Sequence, residues 1–151
     1  MNNDQIHQWY EQHKTGIFRY ILSITHDPNL AEDVLQDTFV KLIVGGIRFE
    51  PGKERAWLFK VARNQCLDHL KKKKKQVEFA APDSHAEMQH WEFLELISPL
   101  TAAEQELVTL KIIGGFSHKE IAKIIGTTVA AAKKRYERAI QKLREEIEVS
   151  L

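Results

Sequence analysis

Apolar side chains recur every three or four residues from the N-terminus: Ile6, Trp9, Tyr10, Ile17, Phe18, Ile21 and Ile24 share one face at the helical period. The pattern predicts a helix that stops near His26. Asp27 then offers an N-cap and Pro28 a first-turn proline, opening a second helix with Leu30, Val34, Leu35, Phe39 and Leu42 inward and Gly45-Gly46 at its end. Residues 48–53 lose the period at Pro51 and Gly52 and read as a loop. A third helix is predicted over residues 54–75. Trp57, Leu58, Val61, Ala62, Cys66 and Leu70 cover one broad side of it, and Lys60, Arg63, Asn64 and Lys71 gather on the other.

From Gln76 to about Ala86 no periodicity survives, and Ala80-Ala81-Pro82-Asp83-Ser84 has the composition of a flexible linker. Beyond it a helix from about Met88 to Ile97 precedes Pro99. Thr101 with Glu104, and again Ser117 with Glu120, make the capping-box pattern, each opening a short helix. Gly114-Gly115 separates these two helices, Gly126 closes the second, and Thr128 can cap a last helix from Val129 to about Glu148. No strand signal competes. The expected fold is all-α: two small helical domains, residues 1–75 and 88–151, joined by an acidic, flexible linker over 76–87.

The chain of 151 residues has an ordinary soluble composition and a net charge of +1. That small sum conceals three blocks: 13 Lys+Arg against 9 Asp+Glu over residues 1–75, none against 5 over 76–100, and 9 against 7 over 101–151. Two basic modules flank an acidic connector. No run of roughly 18 apolar residues is available to span a membrane, and the polar start lacks a signal-peptide pattern, so a cytoplasmic protein without membrane insertion is expected. The single cysteine, Cys66, excludes an internal disulfide and a zinc finger and reads as a small core residue.

Residues 117–143 have the spacing of a helix-turn-helix: barely two turns of helix with Ile121, Ala122 and Ile125 inward, then Gly126-Thr127-Thr128, then the last helix. On that last helix Val129, Ala132, Tyr136, Ala139, Ile140, Leu143 and Ile147 fall in one sector and are expected inward. The opposite sector holds Ala130, Ala131, Lys134, Glu137, Arg138 and Gln141, with Lys133, Arg135 and Lys142 at its flanks. Such a face suits DNA: cations neutralise phosphates, long polar side chains reach base edges, and alanines admit the groove.

Lysine at every position from 71 to 75 ends the third helix in five like charges, which a polyanion would relieve and a solvated helix end would equally tolerate. With Lys60, Arg63 and Asn64, and with Phe49 and Lys53 in the preceding loop, this surface fits single-stranded nucleic acid. Trp57 reads as core. On the second helix Glu32, Asp33, Gln36, Asp37 and Lys41 lie away from the apolar face, with Val40 among them; this acidic stripe suits a protein partner, or simply solvent.

Three stretches in this order resemble the second conserved region of bacterial sigma factors: Ala31-Glu32-Asp33-Val34-Leu35-Gln36-Asp37-Thr38-Phe39, Arg55-Ala56-Trp57-Leu58-Phe59-Lys60-Val61-Ala62-Arg63-Asn64, and Asp68-His69-Leu70. Glu120-Ile121-Ala122, Ile125-Gly126 and residues 133–143 are similar to their fourth region. With only these two regions, the chain resembles the compact extracytoplasmic-function (ECF) group of the sigma-70 family. The resemblance implies that Asp33, Gln36 and Asp37, with Val40 and Lys41 beside them, bind core RNA polymerase, whose clamp and flap are the expected contacts. It further implies that Phe49, Lys53, Lys60, Arg63, Asn64 and Lys71 lie near a melted minus-ten element. Lys133, Lys134, Arg135, Glu137, Arg138 and Lys142 are then expected at the minus-thirty-five element. Promoter DNA is the second partner, and an anti-sigma factor is a further candidate, as is common in the group.

A free-standing helix-turn-helix regulator would leave the Lys60, Asn64 and polylysine surface without a task. An enzyme acting on nucleic acid would need clustered carboxylates or a positioned nucleophile, and the seven histidines are scattered without an HExxH pair. No catalytic residue, metal or cofactor is expected.

Overall fold

The computed structural model of the chain describes residues 3–45, 49–50, 52–72 and 85–150, with side chains for all of these except 85–90 and 150. The expectations placed on Gly46, Arg48, Pro51, the lysines at 73–75 and positions 76–84 of the linker lie outside them; its last positions, 85–87, belong instead to the helix expected from about Met88. The described residues form seven helices and no strand, and the chain divides into two compact units, Met1–Ala80 and Ala81–Leu151.

Unit 1 holds α1 (Asn3–Thr25), α2 (Pro28–Gly45) and α3 (Glu54–Lys72), each packed on the other two. Its core is built from Ile17, Tyr20, Ile21 and Leu22 of α1, Leu30, Val34 and Leu42 of α2, and Leu58, Phe59, Ala62 and Cys66 of α3, all essentially removed from solvent. Burying each of the larger side chains contributes roughly 1.5–3 kcal/mol, which is what holds three otherwise marginal helices together. The α1–α2 corner is set locally. His26 takes a left-handed φ of 53° and its N–H donates to the Leu22 carbonyl at 2.9 Å. The Asp27 carboxylate then accepts from the N–H groups of Asn29 and Leu30 at 3.1 and 3.3 Å, an N-cap directly before Pro28.

Unit 2 holds α4 (His85–Leu96), α5 (Ala102–Ile112), α6 (His118–Ile125) and α7 (Val129–Ser150). Both capping boxes form. Thr101 Oγ1 accepts from Glu104 N–H at 3.2 Å while Glu104 Oε1 accepts from Thr101 N–H at 3.0 Å, and Ser117 with Glu120 repeats the exchange at the same distances. Between α5 and α6 the chain folds back through Gly114-Gly115-Phe116. Gly115 has φ 67°, the Phe116 N–H donates to the Leu110 carbonyl at 3.2 Å, and the Phe116 ring is buried. A Cβ on Gly114 would lie 2.5 Å from the Leu110 carbonyl oxygen, so this close approach requires glycine.

The core of unit 2 departs from the helical-period expectation in three places. On α6 it is Ile124 that is buried beside Ile121 and Ala122, while Ile125 is half-exposed. On α7 Ala132 and Ala139 are fully buried, but Val129 and Ile147 are 47% and 48% exposed. At 1.5 Å per residue α7 runs about 33 Å, against about 16 Å for α5 and about 12 Å for α6, so its packing partners are too short to cover it along its whole length.

Candidate functional site

The helix-turn-helix is α6, residues 126–128 and α7. Gly126 closes α6 with φ 76° and ψ 45°, and the N–H groups of Gly126 and Thr127 both donate to the Ala122 carbonyl at 2.9 Å. Thr128 Oγ1 then accepts from the Ala131 N–H at 3.1 Å and starts α7. Ala132 and Ala139, wholly buried, let α7 cross its neighbours closely, so the opposite face points to solvent. Lys133, Lys134, Arg135, Glu137, Arg138 and Lys142 are all exposed on it. Lys142 is also engaged within the fold: its Nζ lies 2.9 Å from Glu104 Oε1, the oxygen that closes the α5 capping box. That bond holds the Glu104 carboxyl below its ordinary pKa.

At the start of α6 the His118 ring meets Tyr136 of α7 edge-on at 5.4 Å, and its Nδ1 is buried without a hydrogen-bond partner. Burial pushes the imidazole pKa down, and Lys111 and Lys133 add to this against the opposing pull of Glu137. A neutral histidine therefore sits under the basic face at neutral pH.

In unit 1 two further surfaces stand apart from the core. Lys60, Asn64 and Lys71 are exposed on α3, with Arg63 half-buried beside them, and Lys53 is exposed just ahead of the helix. The Lys53 N–H donates to the Glu50 carbonyl at 3.0 Å, closing a turn in which Gly52 has φ 86°. Phe49 is not a free ring: it packs against Trp9 at 5.7 Å and Trp57 at 5.3 Å and is half-buried. Trp57, read as core, is half-buried too, and Phe59 is the aromatic of α3 that is fully enclosed.

On α2, Asp33, Gln36, Asp37, Val40 and Lys41 are exposed in one stripe. Asp37 Oδ2 lies 3.7 Å from His69 Nε2 of α3. Gln36 and Val40 also form one wall of a groove of about 490 Å³ against α1, which Ile6, Tyr10, Phe39 and Ile43 help to line. Sequence periodicity missed this groove, and Ile43 and Val44 as exposed side chains, because it depends on where α1 ends up beside α2. Among the described residues no cluster of three or more His, Cys, Asp or Glu is placed to hold a metal, and no helix is long and apolar enough to cross a membrane.

Residues 9–76 match the family model for sigma-70 region 2, and residues 90–143 match that for sigma-70 region 4. The ECF RNA polymerase sigma factor SigM of Bacillus subtilis is 30% identical over 157 residues, covering 95% of this chain and 94% of SigM. The chain belongs to the ECF group of the sigma-70 family. Solved sigma-factor structures share its fold. CnrH, solved in complex with the cytosolic domain of CnrY, superimposes with a TM-score of 0.76 at 24% identity, over 99% of this chain and 92% of that one. RpoE, solved with the anti-sigma factor NepR from Bartonella quintana, gives 0.69 at 23% identity, over 95% and 99%. As an ECF sigma factor, the protein directs RNA polymerase to promoters. The acidic stripe and the two basic faces are thus surfaces of a transcription initiation factor, not of a lone DNA reader.

Proposed function

We propose a division of labour in which unit 1 docks on core polymerase and works at the minus-ten element, while unit 2 reads the minus-thirty-five element. The observation that carries it is the separation of three exposed surfaces of different character: an acidic stripe on α2, a basic face on α3 with its leading turn, and a basic face on α7. Asp33, Gln36 and Asp37 meet cationic groups of the polymerase clamp, and the groove beside Gln36 and Val40 takes an apolar side chain from the same partner. Lys53, Lys60, Arg63, Asn64 and Lys71 line the path of the melted strand. Lys133, Lys134, Arg135, Glu137 and Arg138 face the duplex, the cations on phosphates and the long side chains within reach of base edges. Lys142 serves the fold through Glu104 before it serves DNA. An anti-sigma factor is a further partner in this proposal, by likeness to RpoE, which is solved with one.

The test is core binding by an α2 variant. Asp37→Lys reverses an exposed charge and leaves every core contact intact, so it should weaken binding to core polymerase at least tenfold, about 1.4 kcal/mol, with unchanged circular dichroism. Undiminished core binding by this variant would remove the stripe from the interface.

A further inference from the structure

On α1, Trp9, His13, Gly16 and Tyr20 follow one another at four-, three- and four-residue spacing and form a single stripe. Its second half closes the core: a Cβ on Gly16 would touch Phe59 at 3.6 Å, and the Tyr20 ring lies 5.3 Å from that of Phe59. The first half faces the turn before α3 instead. Trp9 meets Phe49 edge-on at 5.7 Å, and one helical turn later His13 Nε2 lies 3.6 Å from Glu54 Oε1. Phe49 and Glu54 bracket the turn closed by Lys53 and Glu50, whose own side chains are exposed.

Packing alone does not account for the second contact. His13 Nε2 is buried, and the group that faces it is the Glu54 carboxylate at 3.6 Å, with both side chains largely enclosed. Glu54 is itself buried. Burial pushes the His13 pKa down, Glu54 opposes this and Arg55 reinforces it.

We propose that Trp9 and His13 are positioning residues for minus-ten recognition: Trp9 through Phe49, and His13 through Glu54, fix both ends of the turn that displays Glu50, Gly52 and Lys53. The inference rests on the reading that this turn works at the minus-ten element. It gives Phe49, expected near the minus-ten element, the task of holding the turn through Trp9. Base discrimination needs donors and acceptors that do not follow the wrong base when it enters; a turn anchored at one end only would shift and accept it. Neither anchor belongs to the α2 stripe, so losing one should relax sequence choice without loosening polymerase.

The test is run-off transcription by core polymerase loaded with the full chain. A template library randomised over the minus-thirty-five and minus-ten elements supplies the preferred template for the unaltered protein, and single minus-ten substitutions of it supply the comparison. Trp9→Leu and His13→Ala should each lower discrimination between these templates roughly tenfold, with core affinity within about twofold of the unaltered chain. Trp9→Phe and His13→Gln, which keep an aromatic edge and a polar donor, should restore it. Full discrimination by His13→Ala, a half-buried site whose loss leaves the apolar core untouched, overturns the proposal even if Trp9→Leu fails to fold. Lys53→Ala and Glu50→Ala separate the two readings. If they relax minus-ten choice and the anchor variants do not, the anchors are structural only; if none of the four does, the turn does not read this element and both readings fall.

Discussion

Lys142 stands on the same exposed side of α7 as Lys134 and Arg138, yet its ammonium is already held 2.9 Å from Glu104, 38 residues earlier in the chain. Residues that look alike in sequence therefore should behave differently. Lys134→Ala or Arg138→Ala should cost about 1–3 kcal/mol at a cognate upstream element where they read bases, and should weaken all sequences alike where they touch only phosphate. Equilibrium binding of the holoenzyme to matched and substituted duplexes distinguishes these. Lys142→Ala should instead lower the thermal midpoint of unit 2, because Glu104 loses the partner that joins α7 to the α5 cap.

The pH dependence follows at the same scale. Glu104 has a folded pKa below its ordinary 4.5, first because Lys142 bonds to it, so its contribution is complete above about pH 4.5 and is lost as pH falls through the folded value. His118 has a folded pKa below 6.5, first through burial, and likewise stabilises above that pH and loses its contribution on acidification. Thermal scans of the whole chain should show the midpoint falling in acid, and Glu104→Gln should lack the part of that fall lying below about pH 4.5.

Among the elements, what could be read from sequence was the chemistry that acts within a few residues. Asp27, Thr101, Ser117, Gly126 and Thr128 each act on backbone groups within three or four positions, and all five cap or close the helices expected of them. What escaped was decided by partners distant in the chain. Val129 and Ile147 share the apolar sector of α7, but period alone does not say where a covering helix ends. The Trp9–Phe49 and His13–Glu54 contacts and the groove beside Val40 likewise exist only once α1 has docked. The site was legible as residue types on helical faces, and illegible where a side chain such as Phe49 or Lys142 has a second partner inside the fold. The glycines give a direct check on the elements. Gly114→Ala should destabilise unit 2 severely, since its Cβ would meet the Leu110 carbonyl, whereas Gly126→Ala meets open space and should cost only the left-handed backbone penalty of about 1–2 kcal/mol. Thermal denaturation with a probe in unit 2 ranks the two.

At the scale of the molecule, each of the two units presents a basic face among the described residues, and an acidic stripe stands in the first. If the two basic faces take the two promoter elements as proposed, mounting both on polymerase makes binding of the second element an intramolecular event whose effective concentration replaces bulk affinity. A factor built this way should depend on polymerase for sequence-specific occupancy. Run-off transcription with purified core polymerase, on a promoter carrying both elements and on versions lacking either one, tests this most directly. Specific initiation only when chain, core and both elements are present is the predicted result. Tight, sequence-specific protection of the promoter by the chain alone, with no core-dependent transcript, would contradict it.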